Sequence, residues 1–239
     1  MIRIILCGAN GKMGRVIQDV VSKRNGCKIV AGVDINTDSS SFPVYKTIDE
    51  VAEQADVIID FSNPALLQSL LAFSEKKNLP VVIATTGYDE NQKKQIEAAS
   101  EKTPVFFTYN MSIGINLLAN LAKKAVSVLG SDFDIEIVEK HHNQKIDAPS
   151  GTALMLADAI CEELENPMHY EYDRHSKREK RTKNEIGMHA VRGGTIVGEH
   201  EIMFAGRDEI ITLSHSARSK EVFAVGAVNA AVFMADNKA

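Results

Sequence analysis

The sequence predicts an α/β chain in which a doubly wound parallel sheet is joined to a second unit of mixed α+β character. Three observations carry that expectation. Short, almost uninterrupted apolar runs alternate with helical patterns through residues 1 to 111, as in strands buried on both faces. The first of these runs ends in a glycine triplet that opens a helix. Beyond residue 112 the rhythm changes, and three strand-like runs near the end follow one another with only glycine-containing turns between them.

Ile2-Arg3-Ile4-Ile5-Leu6-Cys7 reads as the first strand. Gly8-Ala9-Asn10-Gly11-Lys12-Met13-Gly14 follows, and Val16, Ile17, Val20 and Val21 then recur at helical spacing until Asn25-Gly26. A second strand, Lys28 to Val33, runs into Asp34, about twenty residues after the last glycine. Strand, glycine turn, helix, strand and acid form the context of a dinucleotide fingerprint, here in the variant spacing Gly-x-x-Gly-x-x-Gly, and point to a Rossmann-like sheet. The glycines permit a tight turn and close approach to a pyrophosphate. The helix N-terminus favours negative charge, and Asp34 can accept hydrogen bonds from ribose hydroxyls.

Asp56 to Phe61 is a third strand, and Ser62-Asn63-Pro64 opens a helix to about Lys77. Pro80 to Thr85 is a fourth strand, Asp89 to Glu101 a helix, and Val105 to Thr108 a fifth strand. Ligands of such sheets sit beyond the carboxyl ends of the strands. That singles out the loops Phe61-Ser62-Asn63, Ala84-Thr85-Thr86-Gly87 and Thr108-Tyr109-Asn110-Met111 as cofactor contacts.

Gly114 to Leu129 reads as a long helix with Leu117, Leu118, Leu121, Ala125 and Val128 on one side. A β-rich run, Phe133 to Val138, and a helix, Thr152 to Leu164, follow. Residues 166 to 184, with Arg174, Lys177, Arg178, Lys180, Arg181 and Lys183, read as a solvated loop or ribbon tip. Ile186 to Arg192, Thr195 to Phe204 and Glu209 to Ser216 suggest antiparallel strands, with Gly193-Gly194 as a hairpin signal and Gly206-Arg207-Asp208 as a turn. Ser219 to Met234 has helical spacing, and by pattern it could join either unit.

The chemistry is concentrated between the β-rich run and the helix at Thr152. Glu139-Lys140-His141-His142-Asn143-Gln144-Lys145-Ile146-Asp147-Ala148-Pro149-Ser150-Gly151-Thr152-Ala153 places two imidazoles and an ammonium just before a helix entry. Ser150 suits the N-cap position, and the N–H groups of Gly151 and Thr152 at the positive helix end suit a carboxylate. Lys145 adds a full charge, and a histidine is the side chain poised to give up a proton near neutral pH. Neither a further His nor a Cys follows at zinc-site spacing, so no metal is expected here.

Composition narrows the class. A hydrophobic content of 44% supports packed cores, and a net charge of −5 argues against a general nucleic-acid binder. Cys7, Cys27 and Cys161 are few and widely spaced, which suits a reducing compartment better than a disulfide framework. The chain begins in a strand pattern, without an apolar leader, and no uninterrupted apolar run reaches membrane-spanning length. A soluble cytoplasmic protein is expected, with neither nucleic acid nor membrane as partner.

Glu-x-His-His-x-x-Lys-x-Asp-Ala-Pro-Ser-Gly-Thr-Ala resembles the signature of the 4-hydroxy-tetrahydrodipicolinate reductase (dihydrodipicolinate reductase) family. The resemblance extends to Gly8 through Gly14, to Ala55 through Ser62, to Ala84-Thr85-Thr86-Gly87, to Asn110 through Gly114 and to Phe223 through Ala227. It implies a dinucleotide-binding domain of residues 1 to 111 plus 219 to 239, with a substrate-binding and oligomerisation domain of residues 112 to 218 inserted. It further implies that Gly8, Ala9, Asn10, Gly11, Lys12 and Met13 hold the pyrophosphate and Asp34 the adenosine ribose. Ala84, Thr85, Thr86, Thr108, Tyr109, Asn110 and Met111 would line the nicotinamide side. His141 as proton donor and Lys145 would be the catalytic residues, His142 and Lys145 substrate contacts, and Gly151 and Thr152 the carboxylate-binding amides. Three positions depart from the family pattern: Ala84 where many members have Gly, Ile35 after Asp34 where some have Arg, and Lys220 where Arg is frequent.

The implied reaction is reduction of a cyclic imine dicarboxylate by NADH or NADPH, with loss of water, on the diaminopimelate route to lysine. A homotetramer is implied as well. The competing readings are a different NAD(P)-dependent small-acid or imine reductase, and a protein that senses NAD(H) without turnover. A sensor has no use for the proton donor His141 beside Lys145.

Overall fold

Ile4 and Leu6 face one side of their strand and Ile5 and Cys7 the other, and all four are buried. That is what a central parallel strand requires. In the computed structural model, which describes residues 1–38 and 41–237, the chain separates into two compact units. One comprises the residues up to Met111 with the segment from Lys220 onward, and the other is Ser112–Ser219.

The first unit begins β1 (Ile2–Cys7), α1 (Lys12–Ser22), β2 (Cys27–Val33), β3 (Val44–Tyr45) and β4 (Val57–Asp60). It continues with α2 (Leu67–Lys77), β5 (Val81–Ile83), α3 (Glu90–Ser100) and β6 (Val105–Phe107). The six strands form one parallel sheet in the order β3-β2-β1-β4-β5-β6. This is the doubly wound order, with its topological switch between β1 and β4. The two-residue β3 lies outside the sequence expectation of five strands, because so short an edge strand has no periodicity to read.

The second unit contains α4 (Ile113–Leu129), β7 (Asp134–His141), α5 (Gly151–Cys161), β8 (His169–Glu171), β9 (Glu185–Arg192), β10 (Gly198–Ala205) and β11 (Ile210–Ala217). The chain then closes with α6 (Glu221–Asp236), which returns to the first unit and packs with α1 over Ile4, Leu6, Val57 and Ile59. α2 and α3 cover the other sheet face through Leu67, Leu70, Phe73 and Ile96. α6 crosses the chain closely at Gly226, where a Cβ would collide with the carbonyl of Met111.

The sheet of the second unit runs β11-β10-β7-β9-β8, and here the sequence expectation needs correction. β10 and β11 form the expected antiparallel hairpin. β9 and β10 do not pair, so Gly193-Gly194 is no hairpin turn. β7 lies between them, parallel to β9 and antiparallel to β10. Gly193 N donates to His141 O (2.9 Å) and Asn143 N donates to Gly194 O (3.2 Å), so the glycines carry the chain across the end of β7. A local turn signal cannot tell a hairpin from such a crossing, since the third strand comes from far away in sequence.

α4 and α5 cover one face of this sheet, over Ile135, Ile137, Ile186, Met188, Ile202 and Phe204. α4 buries Ile115, Leu118, Ala122 and Val126, whereas Leu117, Leu121 and Val128 from the expected stripe are exposed. Asn116, Asn120, Lys123, Lys124 and Ser127 share one side and leave an apolar arc wider than the buried stripe, so spacing alone does not choose which part of it is buried. By length and composition Ile113–Asp132 also meets the criterion for crossing a membrane. It holds no uninterrupted apolar run of that length, because Asn116, Asn120, Lys123 and Lys124 divide it.

The charged segment is likewise not a free loop. It includes β8, Arg174 pairs with Glu185, Lys177 with Glu171, and Arg181 with Asp134 and Glu136.

Gly226→Ala is expected to destabilise the first unit by about 1–3 kcal/mol, because the new methyl meets backbone that cannot rotate away. Urea unfolding followed by circular dichroism checks this. An unchanged midpoint would show that α6 can shift to admit the methyl.

Candidate active site

The turn after β1 is glycine for backbone reasons. Gly8 has a φ of +77°, and a Cβ there would collide with the carbonyl of Phe61. A Cβ at Gly14 would collide with the carbonyl oxygens of Gly8 and Ala9. Gly11 occupies the N-cap of α1 without a side-chain cap, so the opening N–H groups of the helix are left to other acceptors. Asp34 follows β2. One of its carboxylate oxygens accepts from Asn10 N (2.9 Å) and the other from Asn36 N (3.0 Å). The Asn10 amide donates to the carbonyls of Asn36 (2.7 Å) and Asp38 (3.3 Å). Glycine turn and acid are therefore one assembled structure, with Lys12 exposed on the first turn of α1.

The next two strand ends meet beside it. Ser62 N donates to Thr85 Oγ1 (2.8 Å), and the buried Asp60 carboxylate accepts from Ser62 N (3.2 Å), Ser62 Oγ and Tyr88 Oη (3.4 Å). Burial pushes the Asp60 carboxyl up, against the downward pull of these donors. A cavity of about 130 Å³ opens here, lined by Cys7, Val33, Lys46, Asp60 and Ser62 among others. Ala84 is buried and Thr86 exposed.

The Thr108–Met111 stretch turns largely on itself. Thr108 Oγ1 donates to Asn110 O (3.2 Å), and Tyr109 lies edge-on to Phe107 with the Lys93 ammonium 5.6 Å from its ring centre. Asn110 is buried, and the Met111 side chain belongs to the core with Val82 and Ala84. A crowded glycine turn, a helix N-terminus and an acid at the end of β2 suit the pyrophosphate and ribose of a dinucleotide.

In the second unit the strand runs three residues past the expected Val138, to His141. Alternation then puts Ile135, Ile137, Glu139 and His141 on the buried face. The first two complete the hydrophobic core, and the last two make its far end polar. Register aligns Glu139 with His200, and His200 with His215, on the neighbouring strands.

Glu139 is 1% exposed and accepts from four donors on three other residues. His141 Nδ1 lies 2.5 Å from Oε2, Arg192 Nη1 donates to Oε2 (2.8 Å), Arg192 Nη2 to Oε1 (2.6 Å), and Ser150 N to Oε1 (3.1 Å). Burial alone would raise the Glu139 carboxyl, but the hydrogen bonds from His141 and Arg192 prevail and hold it at about 2. Arg192 Nη2 also donates to Asp147 O (2.7 Å), which ties down the loop after His142.

Ser150 caps α5 by accepting from Ala153 N (3.2 Å), and its Oγ lies 3.0 Å from His200 Nε2. Burial and the neighbouring His141 depress His200 to about 3, so it is neutral at pH 7. His141 and His200 meet edge to face, with ring centres 5.2 Å apart. Gly151 is exposed at the start of α5, and a Cβ there would meet no atom within 4 Å. Lys145 is paired, with Nζ 2.8 Å from Asp147 Oδ1. His142 is half-buried, and its carbonyl accepts from Lys145 N (3.1 Å).

The structure thus gathers His141, Ser150 and the start of α5, and adds Glu139, Arg192 and His200, which the sequence did not single out as site residues. Strand alternation was the available signal for Glu139, two residues before His141. Arg192 and His200 lie 51 and 59 residues after His141, since 192 − 141 = 51 and 200 − 141 = 59. Only strand pairing brings them near.

Comparison with known proteins matches residues 2–111 to the family model described as dihydrodipicolinate reductase, N-terminus, and residues 114–239 to that described as dihydrodipicolinate reductase, C-terminus. The 4-hydroxy-tetrahydrodipicolinate reductase of Caldanaerobacter subterraneus subsp. tengcongensis is 54% identical over 238 residues, covering 100% of this chain and 94% of that protein. The enzyme of the same name from Clostridium tetani is 50% identical over 98% of this chain and 92% of its own length. Among solved structures, dipicolinate-bound dihydrodipicolinate reductase from Paenisporosarcina sp. TG-14 superposes with a TM-score of 0.77 at 28% identity, covering 98% of this chain and 94% of that one.

The buried groups make stability depend on pH. His200 has its folded value depressed to about 3 from an ordinary 6.5, and Glu139 to about 2 from 4.5. For both, the unfolded chain binds the proton more readily, so their stabilisation is present above the ordinary value and lost as pH falls. The His200 loss runs from pH 6.5 to about 3, and the Glu139 loss from 4.5 to about 2. Urea midpoints should therefore begin to fall below about pH 6.5. In His200→Gln the decline between pH 6.5 and 4.5 should be smaller, and what remains there comes from His215, which burial also lowers. An unchanged pH profile in that variant would remove His200 as the cause.

Proposed function

The chain belongs to the dihydrodipicolinate reductase family, and from that premise we propose that this enzyme reduces 4-hydroxy-tetrahydrodipicolinate to tetrahydrodipicolinate with loss of water, using NADH or NADPH. The observation that carries the reading is His141, set at the end of β7 beside the N-terminus of α5. A proton donor next to an anion-favouring helix end is what reduction of a cyclic imine dicarboxylate needs.

The nicotinamide cofactor, when bound, supplies the hydride. Gly8, Ala9, Asn10, Gly11, Lys12 and Met13 bind its pyrophosphate and Asp34 its adenosine ribose. Ala84, Thr85, Thr86, Thr108, Tyr109 and Asn110 line the nicotinamide side, with Met111 taking part through its backbone. In the second unit Gly151 and Thr152 bind one substrate carboxylate through their N–H groups. Lys145 and His142 contact the substrate, and Asp147 competes with it for the Lys145 ammonium. Hydride addition at C4 of the conjugated imine leaves an electron pair that requires one proton, and His141 delivers it. These roles divide the chain into a dinucleotide-binding unit, residues 1 to 111 plus 219 to 239, and a substrate-binding unit, residues 112 to 218.

The outer face of the second unit's sheet, with Val191 and Ile210 exposed, is the surface through which copies assemble as a homotetramer. Three free cysteines suit a cytoplasmic location.

Oxidation of NADH with freshly generated substrate tests the activity directly. His141→Gln is expected to lower kcat by about 10²- to 10⁴-fold with NADH affinity nearly unchanged. Near-normal turnover would exclude His141 as the donor.

Both cofactors are expected to serve, with NADH equal or somewhat better. Asp34 repels a 2′-phosphate, Ile35 supplies no compensating charge, and Lys12 partly offsets the repulsion, leaving a preference of about tenfold at most. Lys12→Ala should lower kcat/KM for NADPH much more than for NADH. Equal losses with the two cofactors would overturn this division of roles between Asp34 and Lys12.

A further inference from the structure

We infer that Arg192 and Glu139 act as one positioning unit for His141: Arg192 holds Glu139 ionised and oriented, and Glu139 commits the Nδ1 proton of His141, leaving Nε2 as the nitrogen that exchanges the proton in turnover. This rests on the reading of His141 as the proton donor, and it concerns two residues that only the tertiary structure brings to the site.

The geometry specifies each link. Arg192 reaches Glu139 as a fork, with Nη1 to Oε2 at 2.8 Å and Nη2 to Oε1 at 2.6 Å. A guanidinium cannot deprotonate, so this bidentate pair favours the ionised carboxylate. An ionised carboxylate only accepts hydrogen bonds. The 2.5 Å contact with His141 Nδ1 therefore requires the proton on Nδ1, and the titrating nitrogen becomes Nε2.

Gly198 on β10 lies close beside that nitrogen. A Cβ at Gly198 would lie 3.2 Å from His141 Nε2 and 3.5 Å from Cδ2. Gly198 opens β10 without a positive φ, so its backbone conformation does not demand glycine. A methyl there would require the His141 ring to give by a few tenths of an ångström.

The groups that face His141 are few. Glu139 comes from its own strand, Arg192 from β9, and His200 from β10 with His215 behind it on β11. Lys145 and Asp147 stand on the following loop, and Ser150 at the head of α5 is uncharged. Because Glu139 and Arg192 carry opposite charges, removing either one shifts the histidine's proton equilibrium in opposite senses. A purely structural role would not produce that pattern.

The test is the pH dependence of kcat/KM, at saturating NADH, for the full-length enzyme and two variants. The donor must be protonated, so the rate falls on the alkaline side as His141 loses its proton. Glu139→Gln removes the anion and leaves Arg192 uncompensated, so the alkaline limb is expected to move to lower pH by roughly 1–3 units, with kcat down about 10²-fold. Arg192→Gln leaves the anion unopposed, and the limb is expected to move to higher pH. Dipicolinate binding reports whether each variant keeps its fold. If Glu139→Gln does not fold, Arg192→Lys serves beside Arg192→Gln, and the limb should return toward its parental position when the charge is restored. Shifts in the same direction, or lowered rates with no displaced limb in either Arg192 variant, overturn the inference. A His141→Gln enzyme with normal turnover defeats the donor reading itself, whereas a crippled His141→Gln enzyme beside undisplaced limbs defeats only the Glu139–Arg192 unit.

Discussion

The active end of the second unit depends on one buried carboxylate. Glu139 sits where the apolar face of β7 gives out, and it draws its donors from His141 on the same strand, Arg192 on β9 and Ser150 at the start of α5. An unpaired carboxylate at 1% exposure would cost several kcal/mol, so the site cannot be assembled in part. The strand end, the crossing at Gly193-Gly194 and the helix entry are stable only together. The geometry of this cluster and local folding are in this sense the same constraint.

Its neighbours follow from that placement. His200 is aligned with Glu139 across the sheet and is kept neutral by burial, while its Nε2 meets the hydroxyl that caps α5. Ser150 thus serves twice, through its N–H to Glu139 and through its Oγ to the helix and His200. The loop between His142 and Pro149 is pinned by Arg192 at the carbonyl of Asp147. On the same loop Lys145 is paired with Asp147.

The first unit solves a different problem, that of bringing backbone close to a ligand. Its glycines are fixed by collisions with other backbone: Gly8 against Phe61, and Gly14 against Gly8 and Ala9. Asp34 is joined to the turn through Asn10, so the acid is oriented before any ligand arrives. The return of α6 to this unit seals the face over β1 and β4, with Gly226 allowing the close approach to Met111.

Much of this was legible in the sequence, because it is encoded locally. The five longer strands of the parallel sheet, the glycine turn, the acid at Asp34, the Ser150 cap and the stretch from Glu139 to Lys145 each occupy a short segment with its own periodicity or chemistry. The pairing of β7 between β9 and β10, the buried stripe of α4 and the partners of the charged segment were not legible. Sheet order depends on contacts between distant segments, a helix whose apolar arc is wider than its buried stripe does not specify which part is buried, and ion pairs need the fold before they have partners. The sequence by itself singled out His141. Only the tertiary structure decided what holds it, since Arg192 and Glu139 become neighbours through the parallel pairing of β7 with β9.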